Sequence, residues 1–409
     1  MREGQKDMDF EALLNVVLDI GKEMVKSGAE TNRAEDSIYR MMESYGTEQC
    51  NAFVIQSNIQ ATIKPSGKPY ITQIRRIHKV GFNYDRLDYL NNLSRYICQN
   101  QPSVKEIREK YNEVMNRKPQ PVYLAYLAAI LGGVGFGVYF GCDVVDTLVG
   151  IVICALVEVY FGNILGKKED NLAVYNIIVA FLSAAAVFLV ARFGLGHHPD
   201  RIVLGLNMVL ISGLGVTNGI RDVLDRAYLS GILNIAHACL GAVAIACGTG
   251  LAMLLFEGDM YEMYIAPSIA VQLISCGVAS MGFALVFKAA LWQSFWAGIG
   301  GLINCGCYLL VQHYYENDMA AVLAGATFVA AYSYIMSRVH KAPATIFLTT
   351  SIMPVIPGAT LFYLMHGIVQ ADYVMAKQQT IALGQTCAAI AFGFLIVEIA
   401  TRYVRAKKV

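Results

Sequence analysis

The chain has 409 residues with 32 Lys and Arg against 31 Asp and Glu, a near-neutral balance that argues against nucleic acid as a partner. The charges are unevenly spread: the first 121 residues hold 18 of the basic and 16 of the acidic ones, leaving 14 and 15 for the last 288. A soluble core has no use for so long an apolar stretch, whereas lipid does, and the mean hydropathy of +0.47 reflects it.

The opening residues, Met1–Glu11, are polar, and the short apolar run Ala12–Ile20 is interrupted by Asn15 and Asp19, so an amphipathic helix is expected rather than a cleavable signal peptide. Periodicity predicts helices over 10–26 (Leu13, Leu14, Val17, Leu18) and 32–45 (Ile38, Met41, Met42). Ser27-Gly28 stops the first, and Thr31 or Asn32, with Glu35, is expected to cap the second. Strand-prone runs follow at 52–56, 59–64 and 70–76, the last two separated by Pro65-Ser66-Gly67, and then helices at 83–99 and 103–117. Residues 1–121 therefore read as a cytoplasmic α+β domain. The basic stretch Lys64, Lys68, Arg75, Arg76 and Lys79 reads as a solvated or lipid-headgroup-facing surface.

From Val122 onward, apolar runs of spanning length alternate with short polar breaks. Helices are placed at 122–141, 144–162, 172–191, 202–220, 229–256, 264–287, 290–311, 319–337, 344–367 and 380–401. With the N-terminus inside, 16 Lys and Arg fall on the cytoplasmic side and only Arg192, Arg201 and Lys377 outside, which predicts ten spans with both termini cytoplasmic. The ten cysteines form no CxxC pair and read as reduced, buried thiols. Cys305-Gly-Cys307 lacks the further ligands a metal needs, so no metal site is expected.

Five spans in each of 122–258 and 259–409 require the second half to start on the opposite side of the membrane, the arrangement of two inverted repeats. Gly135-Phe136-Gly137-Val138-Tyr139-Phe140 resembles Gly282-Phe283-Ala284-Leu285-Val286-Phe287, and Gly215-Val216-Thr217 resembles Gly358-Ala359-Thr360. The expected fold is thus an α-helical membrane protein of two inverted five-helix repeats behind the soluble domain. Segment 212–222 places three glycines in a span, and segment 353–360 places two prolines and a glycine in another. Such breaks survive in a bilayer only where protein or a polar cavity satisfies the freed backbone groups, and paired breaks point to a substrate site; a packing interface is the plainer reading. Candidate substrate-binding residues are Gly215, Thr217 and Asn218 on one break and Pro357, Gly358 and Thr360 on the other.

These residues also carry a resemblance. Lys26-Ser-Gly-Ala-Glu-Thr-Asn-Arg-Ala-Glu-Asp36 with Ser44-Tyr-Gly46, Thr217-Asn-Gly-Ile-Arg-Asp222 with Tyr228-Leu-Ser-Gly231, Lys341-Ala-Pro-Ala-Thr345, Met353-Pro-Val-Ile-Pro-Gly358 and Asp372-Tyr373 together resemble the threonine/serine exporter family. One departure is Ser212–Gly215, where the family pattern has proline. The resemblance implies ten membrane helices in a cell membrane and export of a small polar metabolite, L-threonine or L-serine, driven by the proton gradient. Related two-protein versions are associated with dicarboxylate export, which keeps a succinate-like substrate open.

Ionisable groups within spans usually face a partner or a cavity. Asp222, beside Arg221, is a proton-coupling candidate or half of a salt bridge with Arg226. Glu158 can accept a proton, and His237 can titrate near neutral pH or sit hydrogen-bonded in the bundle. Asn207 and Gln385 join the uncharged polar residues suited to a zwitterion, and Arg221 is the one cation placed to meet a dicarboxylate. No GxSxG, P-loop, HExxH or GxGxxG stretch is present, so no catalytic residue and no cofactor is expected. The expected partners are the metabolite, the lipid bilayer and, as a candidate, a second copy of the chain. A membrane-anchored sensor or enzyme acting through the soluble domain, and a channel, are the competing classes.

Overall fold

The computed structural model describes residues 9–78, 80–169, 171–211, 213–224, 227–256 and 267–406. The chain divides into two compact units. The first runs to Gln120 and also includes Phe287–Ala290 and His340–Thr345; the second holds the remainder.

In the first unit, α1 (Phe10–Lys26) and α2 (Thr31–Ser44) bury the periodic residues Leu13, Leu14, Val17, Leu18, Ile38, Met41 and Met42. The Asp9 carboxylate caps α1, accepting the Glu11 and Ala12 N–H groups at 3.1 and 3.0 Å. α2 is not capped as expected. Its cap position is Glu30, one residue before Thr31, and no side chain caps the helix there. Strands β1 (Thr47–Ile55), β2 (Asn58–Pro65) and β3 (Ile71–Arg76) form an antiparallel sheet in the order β1-β2-β3. β1 starts five residues earlier than its apolar run, because Thr47–Asn51 extends the pairing with β2 while leaving polar side chains exposed. Ile59, Ala61 and Ile63 alternate inward from β2. Helices α3 (Tyr84–Asn100) and α4 (Val104–Met115), capped by Asn83 and Ser103, complete this core with Tyr84, Leu87, Leu90, Ile97 and Ile107.

The second unit is helical. Among the described residues, eight helices are long and apolar enough to cross a membrane: α5 (Val122–Tyr139), α6 (Val144–Leu165), α7 (Leu172–Arg192), α10 (Tyr228–Phe256), α11 (Ile269–Val286), α12 (Leu291–Tyr315), α13 (Asp318–Val339) and α16 (Tyr373–Ala406). A bent pair, α14 (Ala344–Ser351) and α15 (Gly358–Val369), passes the same test jointly. The expected span at 202–220 is interrupted at the start of its glycine-rich segment and forms two 12-residue helices, α8 (Pro199–Leu210) and α9 (Gly213–Leu224). α16 begins seven residues before its expected start because the polar Lys377-Gln378-Gln379 stretch continues the helix. Val144, Leu148, Val152 and Leu156 line up every fourth residue on the exposed side of α6, a face suited to lipid.

Packing in the second unit recurs between its halves. Both α9 and α15 pack against both α10 and α16, and α7 meets α10 as α13 meets α16. Small residues set these contacts. A Cβ on Gly248 (α10) would lie 3.0 Å from Phe181 N on α7. One on Gly393 (α16), 145 residues later, would lie 2.9 Å from Thr327 N on α13. α5 and α11 make a reciprocal pair of contacts: Gly135 against Ala279, and Gly282 against Gly132. Phe136 and Phe283 meet edge to face at 5.7 Å. As the α5 position advances from 132 to 135, its α11 partner recedes from 282 to 279, so the two helices run antiparallel.

Leucine at Gly248 or Gly393 must therefore push two helix backbones apart. Each is expected to cost about 1–3 kcal/mol and to lower the thermal unfolding midpoint of the detergent-solubilised protein. Gly384→Leu, at a position with open space around it, should leave the midpoint nearly unchanged. Equal midpoints for all three variants would mean that these close approaches do not set the helix spacing.

Candidate functional site

The two interrupted helix pairs meet at their breaks. α8 ends with Ile211 in extended backbone (ψ 122°), and α9 begins at Gly213. α14 is followed by the short turn Met353–Val355, then Ile356 in extended backbone (ψ 131°), and α15 begins at Gly358. Pro357 forces the second break, because the residue before a proline is driven out of helical geometry. Ile211 has the same extended backbone as Ile356, with serine rather than proline next in sequence. Ile211 and Ile356, and likewise Gly213 and Gly358, are 145 residues apart. A Cβ on Gly358 would stand 3.1 Å from Met208 Sδ and 3.8 Å from Ile211 Cγ2, which places the start of α15 against the end of α8. The Ser351 carbonyl, exposed by the second break, accepts Asn304 Nδ2 at 3.0 Å, and the Ser351 hydroxyl donates to Ala297 O at 3.1 Å. The Asn304 side chain of α12 thus replaces a helix hydrogen bond lost at the proline turn.

Pro357 and Gly358 are buried at this junction, and Thr360 is half-buried one turn into α15. Gly215 and Asn218 are half-buried on α9; the Thr217 side chain lies outside the described residues. Asn207, near the end of α8, is fully buried, and its Nδ2 donates to Thr249 Oγ1 of α10 at 3.2 Å. Asp222 accepts from Asn234 Nδ2 at 2.8 Å, so a neutral amide of α10 holds it. Asp225 and Arg226 lie outside the described residues, as does the Arg221 side chain. Glu158 is buried in a π-helical stretch of α6, Cys154–Phe161, where its Oε2 accepts from Cys154 Sγ at 3.6 Å and its Oε1 has no partner. π-turns inside α-helices often mark functional positions. His237 and Gln385 do not join the group: both lie on exposed helix faces. Sequence reasoning missed His366 on α15, which is 1% exposed with neither ring nitrogen hydrogen-bonded.

The glycine-rich motifs have direct packing roles. A Cβ on Gly219 would lie 2.8 Å from Gly231 O, so the Thr217–Asp222 and Tyr228–Gly231 stretches are held backbone to backbone. In the first unit, Gly28 adopts φ +93° and leaves room for the Phe82 ring, which packs at a 40° tilt on Phe287 with centroids 4.4 Å apart. The backbone N–H groups of Tyr84 and Asp85 donate to Phe287 O and Lys288 O at 2.9 and 3.0 Å, and Thr345 Oγ1 donates to Glu30 Oε1 at 3.2 Å. Gly28, through Phe82, and Glu30 thus give the Lys26–Asp36 motif a packing role within the first unit.

Comparison with known proteins decides the family. The model described as "Putative threonine/serine exporter" matches residues 15–256, more than half of the chain, and a second, "Threonine/Serine exporter, ThrE", matches residues 272–400. The chain belongs to the threonine/serine exporter family. Two relatives of this exporter family span most of its length. It is 23% identical to the "Threonine/serine exporter" of Corynebacterium glutamicum, over 96% of this chain and 83% of that one. It is 21% identical to the "Probable threonine/serine exporter" of Mycobacterium tuberculosis (strain ATCC 25618 / H37Rv), over 88% of this chain and 70% of that one. No solved structure matches. Family membership and the apolar helices make the chain a multi-pass membrane transporter.

Away from the breaks, the loops before α6 and α8 are clasped. Asp143 and Asp146 form a capping box at the start of α6, with Asp146 N donating to Asp143 Oδ1 at 2.8 Å and Asp143 N to Asp146 Oδ2 at 3.1 Å. Asp146 also accepts both the His197 and His198 backbone N–H groups and His198 Nδ1. His197 Nδ1 pairs with Asp143 Oδ2 at 2.5 Å. Asp143, Asp146 and His197 bring ligand atoms within 4.8 Å of one another, but the Asp146 oxygens are already filled by these four bonds. The Asp146 N–H, then His197, hold the Asp143 carboxyl below its usual value of 3.8, and the hydrogen bond and charge of Asp143 raise His197 above 6.5. The His197 contribution is full below its unfolded value and fades as pH rises through the higher folded one; the Asp143 contribution is lost as pH falls through its depressed value. Hydrogen exchange over residues 193–198, corrected for intrinsic rates, should be slower at about pH 6 than at about pH 8.5. His197→Gln should flatten that difference. An unchanged pH profile in the variant would show that the pair does not hold the loop.

Proposed function

We propose that the chain exports L-threonine and L-serine from the cytoplasm, coupled to the proton gradient, by alternating access around the paired breaks. The abutment of Gly358 on Met208 and Ile211 carries the reading, because broken helices meeting inside a membrane bundle are the usual setting of a substrate site in secondary transporters. Counting α8–α9 and α14–α15 as one broken span each gives ten spans in two five-helix halves. The 145-residue recurrence of the breaks and of the Gly248 and Gly393 contacts, with the antiparallel, reciprocal α5–α11 contact, supports an inverted repeat. The basic-residue asymmetry supports cytoplasmic termini.

In this reading Gly215, Thr217, Asn218, Pro357, Gly358 and Thr360 line the permeant's position, where hydroxyl and amide groups can satisfy an ammonium and a carboxylate without leaving an unpaired charge in lipid. Asp222 and Glu158 are the proton-linked groups, and the exposed position of His237 leaves it the weaker candidate. The corynebacterial and mycobacterial relatives carry threonine/serine exporter in their names, which supports amino acids over a dicarboxylate.

Purified protein in proteoliposomes should move labelled serine or threonine faster with an imposed pH gradient than without. Thr217→Val should raise KM about tenfold, the worth of one hydrogen bond to a charged group. Glu158→Gln and Asp222→Asn should retain binding and lose most of the gradient's acceleration. A parent that carries succinate and neither amino acid would overturn the substrate assignment. Carboxylate variants that respond to the gradient like the parent would overturn the coupling assignment.

A further inference from the structure

His366 is a buried titratable group that the reading above leaves without a task. It lies eight residues into α15, stacked on Phe362 with ring centroids 5.7 Å apart, and neither Nδ1 nor Nε2 has a hydrogen-bond partner. Asn207 on α8 shares the condition: it is 0% exposed, its Nδ2 is engaged by Thr249, and its Oδ1 has no partner. A buried polar atom left unpaired costs stability, and phenylalanine in place of His366 would avoid that cost.

Asn207 and the end of α15, one turn beyond His366, lie against the same stretch of α10. Thr249 holds Asn207, and Gly250, the next residue, faces α15: a Cβ there would meet Gln370 Nε2 at 3.7 Å and Val369 Cγ1 at 3.8 Å, within one helical turn of His366. The end of α8 touches the start of α15 through Met208 and Gly358. Three helices therefore converge with an unpaired amide oxygen, an unpaired imidazole and a hydroxyl in apolar surroundings.

We propose that Asn207, Thr249 and His366 form a binding station for a small zwitterion, next to the breaks on the permeant's path. An imidazole N–H can meet a carboxylate, the Asn207 oxygen can accept from an ammonium, and the second imidazole nitrogen is left for a side-chain hydroxyl. Only the identity of the permeant rests on the export reading; the station itself rests on the unpaired buried atoms.

The test is thermal unfolding of the full-length protein in detergent, with L-serine, L-threonine and succinate titrated separately. Ligand binding should raise the parent's midpoint. His366→Phe keeps the ring volume and the stack on Phe362, so its ligand-free midpoint should match or exceed the parent's, while the ligand concentration giving half the rise should increase at least tenfold. Asn207→Leu should do the same, and His313→Phe, on an exposed face of α12, should change neither. An unchanged half-rise concentration in His366→Phe overturns the station. So does a ligand-free midpoint several degrees lower, because the imidazole would then be holding the fold. A parent that responds to succinate alone overturns the amino-acid reading, and the same comparison made with succinate then decides the station. A parent that responds to none of the three overturns both.

Discussion

Backbone polar groups in a bilayer have no water to turn to, and that constraint governs this molecule more than any side chain does. A helix may stop at mid-membrane only where other protein atoms accept what the break releases. Here the break after α14 is met by Asn304 on the Ser351 carbonyl, and the start of α15 closes directly on the end of α8. The long helices α10 and α16 each pack against α9 and α15, so the two breaks share common walls. Placing the broken segments together concentrates polar backbone, buried hydroxyls and amides in one region of an otherwise apolar unit.

Close helix approach depends on residues without side chains. Gly219 against Gly231, Gly248 against Phe181, Gly393 against Thr327 and Gly135 against Ala279 bring backbones to distances that a Cβ would forbid or crowd. In lipid there is no hydrophobic drive between helices, so such contacts, with their dispersion energy, hold the bundle. This gives the Thr217–Asp222 and Tyr228–Gly231 motifs a structural reason independent of any ligand. Within the first unit, the Lys26–Asp36 motif likewise does packing work, through the Gly28 turn and the Glu30 hydrogen bond to Thr345.

Among the described residues, the chemistry offered near the breaks is largely uncharged. Asn207, Thr249, Asn218 and Thr360 are neutral, Asp222 is held by Asn234, and Glu158 is buried beside Cys154. A zwitterion brings charges of both signs and needs no fixed countercharge, whereas a dianion would leave its charge unmet by these groups.

The sequence by itself determined the division of the chain. The charge-rich first 121 residues, the amphipathic period of Leu13, Leu14, Val17 and Leu18, and the apolar run lengths beyond Val122 follow from local composition, which decides whether a segment prefers water or lipid. Pro354 and Pro357 announced the second break, because proline acts on its own neighbours whatever the surroundings. Only the tertiary structure decided that Ile211, with no proline beside it, breaks its helix in the same way. It also decided that Asp222 meets Asn234, and that His237 faces outward while His366 is buried with neither ring nitrogen hydrogen-bonded among the described residues. Each of these depends on which helix lies alongside, and a helix chooses its neighbours through contacts distant in sequence, such as Gly358 with Met208, that no local pattern encodes.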